Sequence, residues 1–176
     1  MGFAGPIGAG KTTGAQHLQK SHGFDYVRYS QILAEWRAKD PNSKSALQEL
    51  GWDVMASGLQ EELNQRVIGR IAASVSTAVD GLRHPIDFEM LKAEYGTRFT
   101  LVYVDAPPEL RWRRTRAMGR FKTPEEFVAA DQHEVEQPLR GLLTEADVAL
   151  ENDTTLGDYI GSLDRIVAAI EGGGDR

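Results

Sequence analysis

The 176-residue sequence contains no cysteine. Disulfides, cysteine-ligated zinc, iron–sulfur clusters and thiol nucleophiles are therefore excluded, and the absence fits a reducing compartment. No apolar run approaches the roughly 20 residues of a membrane helix, and the first residues lack the charged segment and apolar core of a secretory signal. The expectation is a cytoplasmic protein with no membrane partner. Basic residues are in the minority, 20 Lys and Arg against 26 Asp and Glu, for a net charge of −6. Binders of nucleic acid polymers or anionic membranes need an excess of positive charge, so both are disfavoured. Only a local basic site stays open. Hydrophobic residues at 41% and charged residues at 26% describe a globular chain, long enough for one domain with a sizeable core.

The pattern alternates strand and helix. Strands are expected at Met1–Ala4, Phe24–Tyr29, Val75–Asp80, Phe99–Asp105 and Ala146–Leu150, from clustered apolar, β-branched and aromatic residues. Helices are expected over Lys11–Lys20, Ser30–Ala38, Asp87–Glu94, Glu109–Met118 and Leu156–Ile170, with a further start at Thr123-Pro124-Glu125-Glu126. The longest helical region, Ser45–Ser74, carries Leu59, Leu63, Val67 and Ile71 on one face and is expected to break near Gly51 or Gly58. Asp40-Pro41-Asn42-Ser43 reads as a turn, Gly81–Pro85 as a loop, and residues 171–176 as a disordered tail. There is no internal repeat or interdomain linker. Such alternation implies parallel βαβ units, with ligands at the C-terminal ends of the strands.

Gly5-Pro6-Ile7-Gly8-Ala9-Gly10-Lys11-Thr12, followed by Thr13, fits G-x-x-x-x-G-K-[ST] between a strand and a helix. Glycines let backbone amides turn inward around phosphate oxygens, and the helix start adds its positive end. Lys11 is placed to reach the β- and γ-phosphates, and the Thr12 hydroxyl to ligate Mg²⁺. Only four residues precede Gly5, so the natural start is expected to lie upstream.

No N-K-x-D motif of GTPases is present, and the length is short for a typical AAA⁺ or helicase motor. From Gly2 to about Ile170 the order of motifs resembles the P-loop nucleotide kinases, the adenylate kinases, dephospho-coenzyme A kinases and their small relatives. The resemblance implies a five-stranded parallel P-loop sheet flanked by helices, a helical acceptor cap over residues 30–75 and an Arg-rich lid over 111–127. It implies that Arg83, after Val79-Asp80-Gly81-Leu82, grips an acceptor phosphate and that Asp80 orients Mg²⁺-bound water. It implies that among Arg111, Arg113, Arg114, Arg116 and Arg120, five arginines within ten positions, Arg116 or Arg120 stabilises the transferring group. It also places Asn152 beside the base. Plainer readings stand beside each: a turn at Asp80-Gly81, a solvated arginine face pairing with Glu109, Glu125 and Glu126, and a simple turn at Asn152.

Gln31 and Ala34 stand where the relatives often carry an acid and an arginine; Arg28, Asp25, Glu35 or Arg37 could substitute. His17, His22, His84 and His133 show no metal-ligand spacing. Trp36, Trp52 and Trp112 suit packing better than base stacking, and Asp131, Glu134 and Glu136 read most simply as a solvated face. The implied cofactors are ATP and Mg²⁺. The implied activity is phosphoryl transfer to a small phosphorylated acceptor, a nucleoside or deoxynucleoside monophosphate, with dephospho-coenzyme A as an alternative. The rival class is a nucleotide-binding regulatory module or slow NTPase acting on a protein partner.

Overall fold

The computed structural model describes residues 1–37 and 44–172; the turn expected at Asp40 to Ser43 and the tail from 173 lie outside them. Five strands form one sheet: β1 (Gly2–Ala4), β2 (Asp25–Arg28), β3 (Thr77–Leu82), β4 (Leu101–Asp105) and β5 (Val148–Glu151). Their order is β2-β3-β1-β4-β5 and every pairing is parallel. The short β1 is the central strand and is wholly buried. A parallel sheet covered on both faces needs continuous apolar strands, and the buried run Leu101-Val102-Tyr103-Val104 provides one.

Successive residues of a strand point to opposite faces, and the core divides accordingly. Ala4, Val79, Leu101 and Tyr103 belong to one cluster, and Phe3, Ala78, Val102 and Val104 to the other. The helices are α1 (Lys11–His22), α2 (Tyr29–Arg37), α3 (Lys44–Ala56), α4 (Gln60–Ile68), α5 (Pro85–Tyr95), α6 (Pro108–Ala117), α7 (Pro124–Asp131), α8 (Leu139–Glu145) and α9 (Leu156–Gly172). The second cluster is closed by Leu18 of α1 and Tyr159, Leu163 and Val167 of α9. No described helix is long and apolar enough to cross a membrane.

Several boundaries differ from expectation. The long helix divides at Gly58, whose φ of 68° suits a glycine helix stop; Leu59 N donates back to Val54 O at 2.9 Å. Gly51 stays helical, and the chain leaves α4 at Ile68, before Ser74. Strand β3 runs on through Gly81 and Leu82. Its register against β1 slips there: Phe3 pairs with Asp80 and Ala4 with Leu82. Gly81, at φ 97°, is the extra residue of a bulge, a device that re-aims neighbouring side chains. Helix α5 starts at Pro85 in a capping box, with His84 Nδ1 accepting from Ile86 N and Asp87 Oδ2 from His84 N. Helix α8 has no counterpart among the helices expected from the sequence, and α9 includes residues 171 and 172, which were expected in the tail.

Candidate active site

The phosphate loop leaves β1 and enters α1 at the C-terminal edge of the sheet. Gly5, Gly8 and Gly10 have φ of 133°, 79° and 117°, conformations that side chains other than glycine rarely take. A Cβ at Gly8 would meet Arg111 O at 2.8 Å, and one at Gly10 would clash with Asn152 Nδ2. The loop is thus held by its neighbours as well as shaped by its glycines. Lys11 Nζ donates to the carbonyls of Gly5 and Pro6, folded back along the loop. Burial, then Arg83, lowers its ammonium from 10.5 to about 8; Glu136 and Asp80 oppose the shift and Arg111 adds to it.

Thr12 Oγ1 donates to Asp80 Oδ2 at 2.7 Å. Asp80 is 2% exposed, and the same oxygen accepts from Tyr26 OH at 2.8 Å, with Arg28 Nε 3.7 Å away. Burial, followed by Asp80, raises the Tyr26 phenol well above its ordinary value, so Tyr26 serves as a hydrogen-bond donor. A hydroxyl at the start of α1 and a carboxylate on the neighbouring strand form the oxygen donor set that P-loop proteins present to Mg²⁺. Asp80 sits in a bulged strand rather than a turn, and its carboxyl lies against the phosphate loop.

The arginines separate by role. Arg111, 6% exposed, makes a bidentate pair with Asp131 at 2.5 and 2.9 Å and donates to Ile7 O at 3.1 Å and Ala106 O at 3.0 Å. It braces the phosphate loop from behind. Arg114 Nη2 donates to Asn152 O at 2.8 Å, and its Nη1 is buried without a partner. Arg120 lines the cleft; burial, then Arg28, lowers its guanidinium below the ordinary value. Arg113 and Arg116 are exposed. Arg116 lies 5.9 Å from the Trp112 ring and outside the cleft lining, which corrects its expected place beside the transferring group.

Arg83 lines the cleft, and its Nη1 is 2.5 Å from Glu136 Oε1. The contact is a charge pair without hydrogen-bond alignment, since neither buried Glu136 oxygen has a hydrogen-bond partner. Asp131 and Glu136 therefore face arginines rather than solvent, and only Glu134 of the acidic cluster is exposed. Asn152 is buried: its Nδ2 donates to Ala9 O at 2.8 Å, while its own N donates to Asp105 O. Tyr159 OH reaches Gly10 O at 3.1 Å. Asn152 and Tyr159 thus tie the loop to β5 and α9, a role for Asn152 beyond the expected base contact.

One cleft of about 510 Å³ joins these groups. Its lining combines the phosphate loop, Asp80, Arg28, Arg83 and Arg120 with an apolar chamber of Leu33, Leu47, Gly51, Met55, Leu63 and Val135. Gln48, Gln60 and Asp87 add polar groups to the same lining. Asp87 Oδ1 accepts from Gln60 at 2.6 Å and Asn64 at 2.8 Å, so this buried carboxylate is fully engaged. Of the four proposed substitutes for Gln31 and Ala34, Arg28 faces the cleft; Glu35 pairs with Arg70, Arg37 stacks on Trp36 and Asp25 is exposed. Tyr26 and Tyr159 belong to no sequence motif, and Arg28 enters there only as a substitute. A strand that carries Tyr and Arg toward the phosphate loop is the one local signal for Tyr26 and Arg28.

A family model described as an AAA domain matches residues 2–134. The UPF0200 protein of Sulfurisphaera tokodaii is 24% identical over 97% of this chain and 96% of its own. UPF0200 protein PH1008 of Pyrococcus horikoshii is also 24% identical, over 60% of this chain and 59% of that protein. Among solved structures, the shikimate kinase from Bacteroides thetaiotaomicron superposes with a TM-score of 0.65 at 17% identity, covering 97% of each chain. A gluconokinase from Sinorhizobium meliloti gives 0.60 at 11% identity, covering 98% of this chain and 95% of its own. The likenesses to solved structures concern the fold. The AAA name goes beyond the sequence expectation, which sets aside AAA⁺ motors on length. The chain belongs to the AAA domain family and has the P-loop NTPase fold of the small kinases.

Proposed function

We propose that this protein transfers the terminal phosphoryl group of ATP to a small phosphorylated acceptor, a nucleoside or deoxynucleoside monophosphate. The observation that carries the reading is one cleft that holds a phosphate-binding loop, cationic groups and an apolar chamber together. The backbone of residues 5–12, with Lys11 and Thr13, holds the triphosphate. Thr12 and Asp80 hold Mg²⁺, which when bound neutralises charge on the phosphate oxygens. Arg83 and Arg28 hold the acceptor phosphate, and Arg120 faces the transferring group. Asn152 and the unpartnered Arg114 Nη1 border the adenine end. Phosphoryl transfer depends chiefly on positioning and charge neutralisation, so the missing acid at Gln31 does not by itself forbid it.

The apolar chamber supports a flat nucleobase over a polyol. A polyhydroxy acid of the kind named for the solved shikimate kinase and gluconokinase would set several hydroxyls against Leu33, Leu47, Met55 and Val135, with few free partners among Gln48, Gln60 and the engaged Asp87. The test is ADP formation with a panel of nucleoside monophosphates, dephospho-coenzyme A, shikimate and gluconate. Stimulation by a monophosphate, lost in Lys11→Ala, is expected. Tight ATP binding with no response to any acceptor overturns the kinase reading in favour of a nucleotide-binding regulatory module.

A further inference from the structure

Outside the cleft, the last turns of α1 meet the middle of α9. His17 Nε2 and His22 Nε2 approach the same oxygen of Asp164, at 2.6 and 2.8 Å. The three ligand atoms lie within 4.8 Å of one another, the one such grouping among the described residues. None of the three lines the cleft, and phosphoryl transfer as proposed above uses none of them. We propose that His17, His22 and Asp164 bind a divalent transition-metal ion of the zinc class, cross-linking α1 to α9.

Two imidazoles and a carboxylate, with a fourth position left to water, form a ligand set that suits Zn²⁺ better than Mg²⁺ or Ca²⁺, which prefer oxygen alone. The other nitrogen of one ring is already engaged: His17 Nδ1 lies 3.3 Å from Ser21 Oγ, one turn along α1. Such an outer partner fixes the ring and directs Nε2 toward a metal. The cluster also sits at the C-terminal end of α1, closed by Gly23 at φ 69°, where unpaired carbonyls favour a cation. Exposure is graded. The His17 and His22 side chains are 15% and 24% exposed and Asp164 is 46% exposed, so an ion can enter without unfolding. Sequence spacing hides this arrangement, because the histidines are five residues apart and Asp164 is 142 beyond His22.

The test uses the whole protein, stripped with EDTA and free of nucleotide, titrated with Zn²⁺ by calorimetry. One ion per chain is expected, with affinity at least about tenfold weaker in both His22→Ala and the near-isosteric Asp164→Asn. Lys11→Ala, in the phosphate loop, should bind Zn²⁺ as the wild type does. Co²⁺ should give the visible absorption of a low-symmetry four-coordinate ion, lost in the same two variants. Saturating Zn²⁺ should raise the wild-type Tm by roughly 3 °C or more and leave theirs unmoved. Absence of binding, or equal binding in wild type and both variants, overturns the proposal and leaves the cluster as a hydrogen-bonded clamp. Circular dichroism confirms that the variants are folded.

Discussion

The Thr12 hydroxyl donates to Asp80 across 68 residues at 2.7 Å, joining the first turn of α1 to the bulged segment of β3. The bulge at Gly81 sets where Asp80 sits, and Tyr26 and Arg28 hold its carboxylate in place. Asp80→Asn keeps the shape and removes the charge. Nucleotide affinity in EDTA should stay within a few-fold of wild type, whereas its strengthening by Mg²⁺ should vanish. Turnover should fall by about 100-fold or more, the scale of losing a preorganised charge at a reacting group. Binding and ADP formation, each with and without Mg²⁺, read both effects; unaltered turnover removes Asp80 from the site.

Arg111 braces the phosphate loop without lining the cleft, and should affect nucleotide binding through that brace. Its guanidinium ties α6 to Asp131 of α7 and to the Ile7 carbonyl. Breaking a buried charge pair from one side costs about 3–5 kcal/mol; Asp131 is 21% exposed, which places Arg111→Ala at or below the lower end. Its Tm should drop and its KM for ATP rise. Asp131→Ala should do less, and the double variant should be less destabilised than the two losses added together. Additive losses in denaturant melts would show that the pair is not coupled.

The buried Lys11 ammonium should make nucleotide binding pH-dependent. Burial holds its ammonium at about 8 against an ordinary 10.5. Between these values the unfolded chain carries a proton that the fold lacks, so this group's contribution to stability rises with pH across that window. Below it, the fold carries a buried charge that a triphosphate can offset. ATP binding at about pH 9, where the nucleotide is itself fully ionised, should therefore take up close to one proton. Calorimetry in buffers of different ionisation heat measures the uptake, and Lys11→Ala should abolish it.

How far the site is legible in the sequence depends on distance along the chain. The phosphate loop is contiguous, so its glycines, Lys11 and Thr12 carry their geometry in their spacing. The parallel sheet follows from β-α alternation, whereas its strand order does not; a glycine break in the long helix is legible, but the choice of Gly58 over Gly51 is not. Asp80 is visible as a residue but not as part of a bulge, because the slip arises from pairing with Phe3 and Ala4. The arginines are visible only as a cluster. Whether each faces the cleft, as Arg120 does, a partner, as Arg111 does, or solvent, as Arg116 does, depends on the roll of α6, on the turn at Gly119 beyond it, and on Asp131, twenty residues from Arg111. The brace from Asn152 to Ala9 spans 143 residues, beyond any local pattern.

Arg83, proposed above to hold the acceptor phosphate, is paired with Glu136. That carboxylate and an acceptor phosphate are alternative anions for one guanidinium, so Glu136 should weaken acceptor binding. Glu136→Gln removes the competing charge with little change of volume. It should lower the acceptor KM several-fold with a smaller change in the ATP KM, since both charges also act on Lys11, and Arg83→Ala should raise the acceptor KM more than it alters the ATP KM. Stability should change little, because the buried carboxylate gives up a pair that lacks hydrogen-bond alignment. A Glu136→Gln acceptor KM higher than wild type would mean that the pair positions Arg83 instead of withholding it.

Gly51 tests the apolar chamber of the cleft. It lies within α3, where glycine costs about 1 kcal/mol relative to alanine, and it lines the chamber beside Val135. A Cβ there would lie 3.2 Å from Val135 Cγ2, so even a methyl must displace that neighbour slightly. Gly51→Leu, a better helix former, would put a branched side chain into the space assigned to the acceptor base. Its acceptor KM should rise at least about tenfold, a loss of about 1.4 kcal/mol, with ATP affinity within twofold of wild type. Retained ATP binding shows that the variant is folded around its phosphate loop, so a change in acceptor KM reports on the chamber alone. An unchanged value places the acceptor elsewhere and leaves the apolar chamber with no bearing on the choice of a nucleobase.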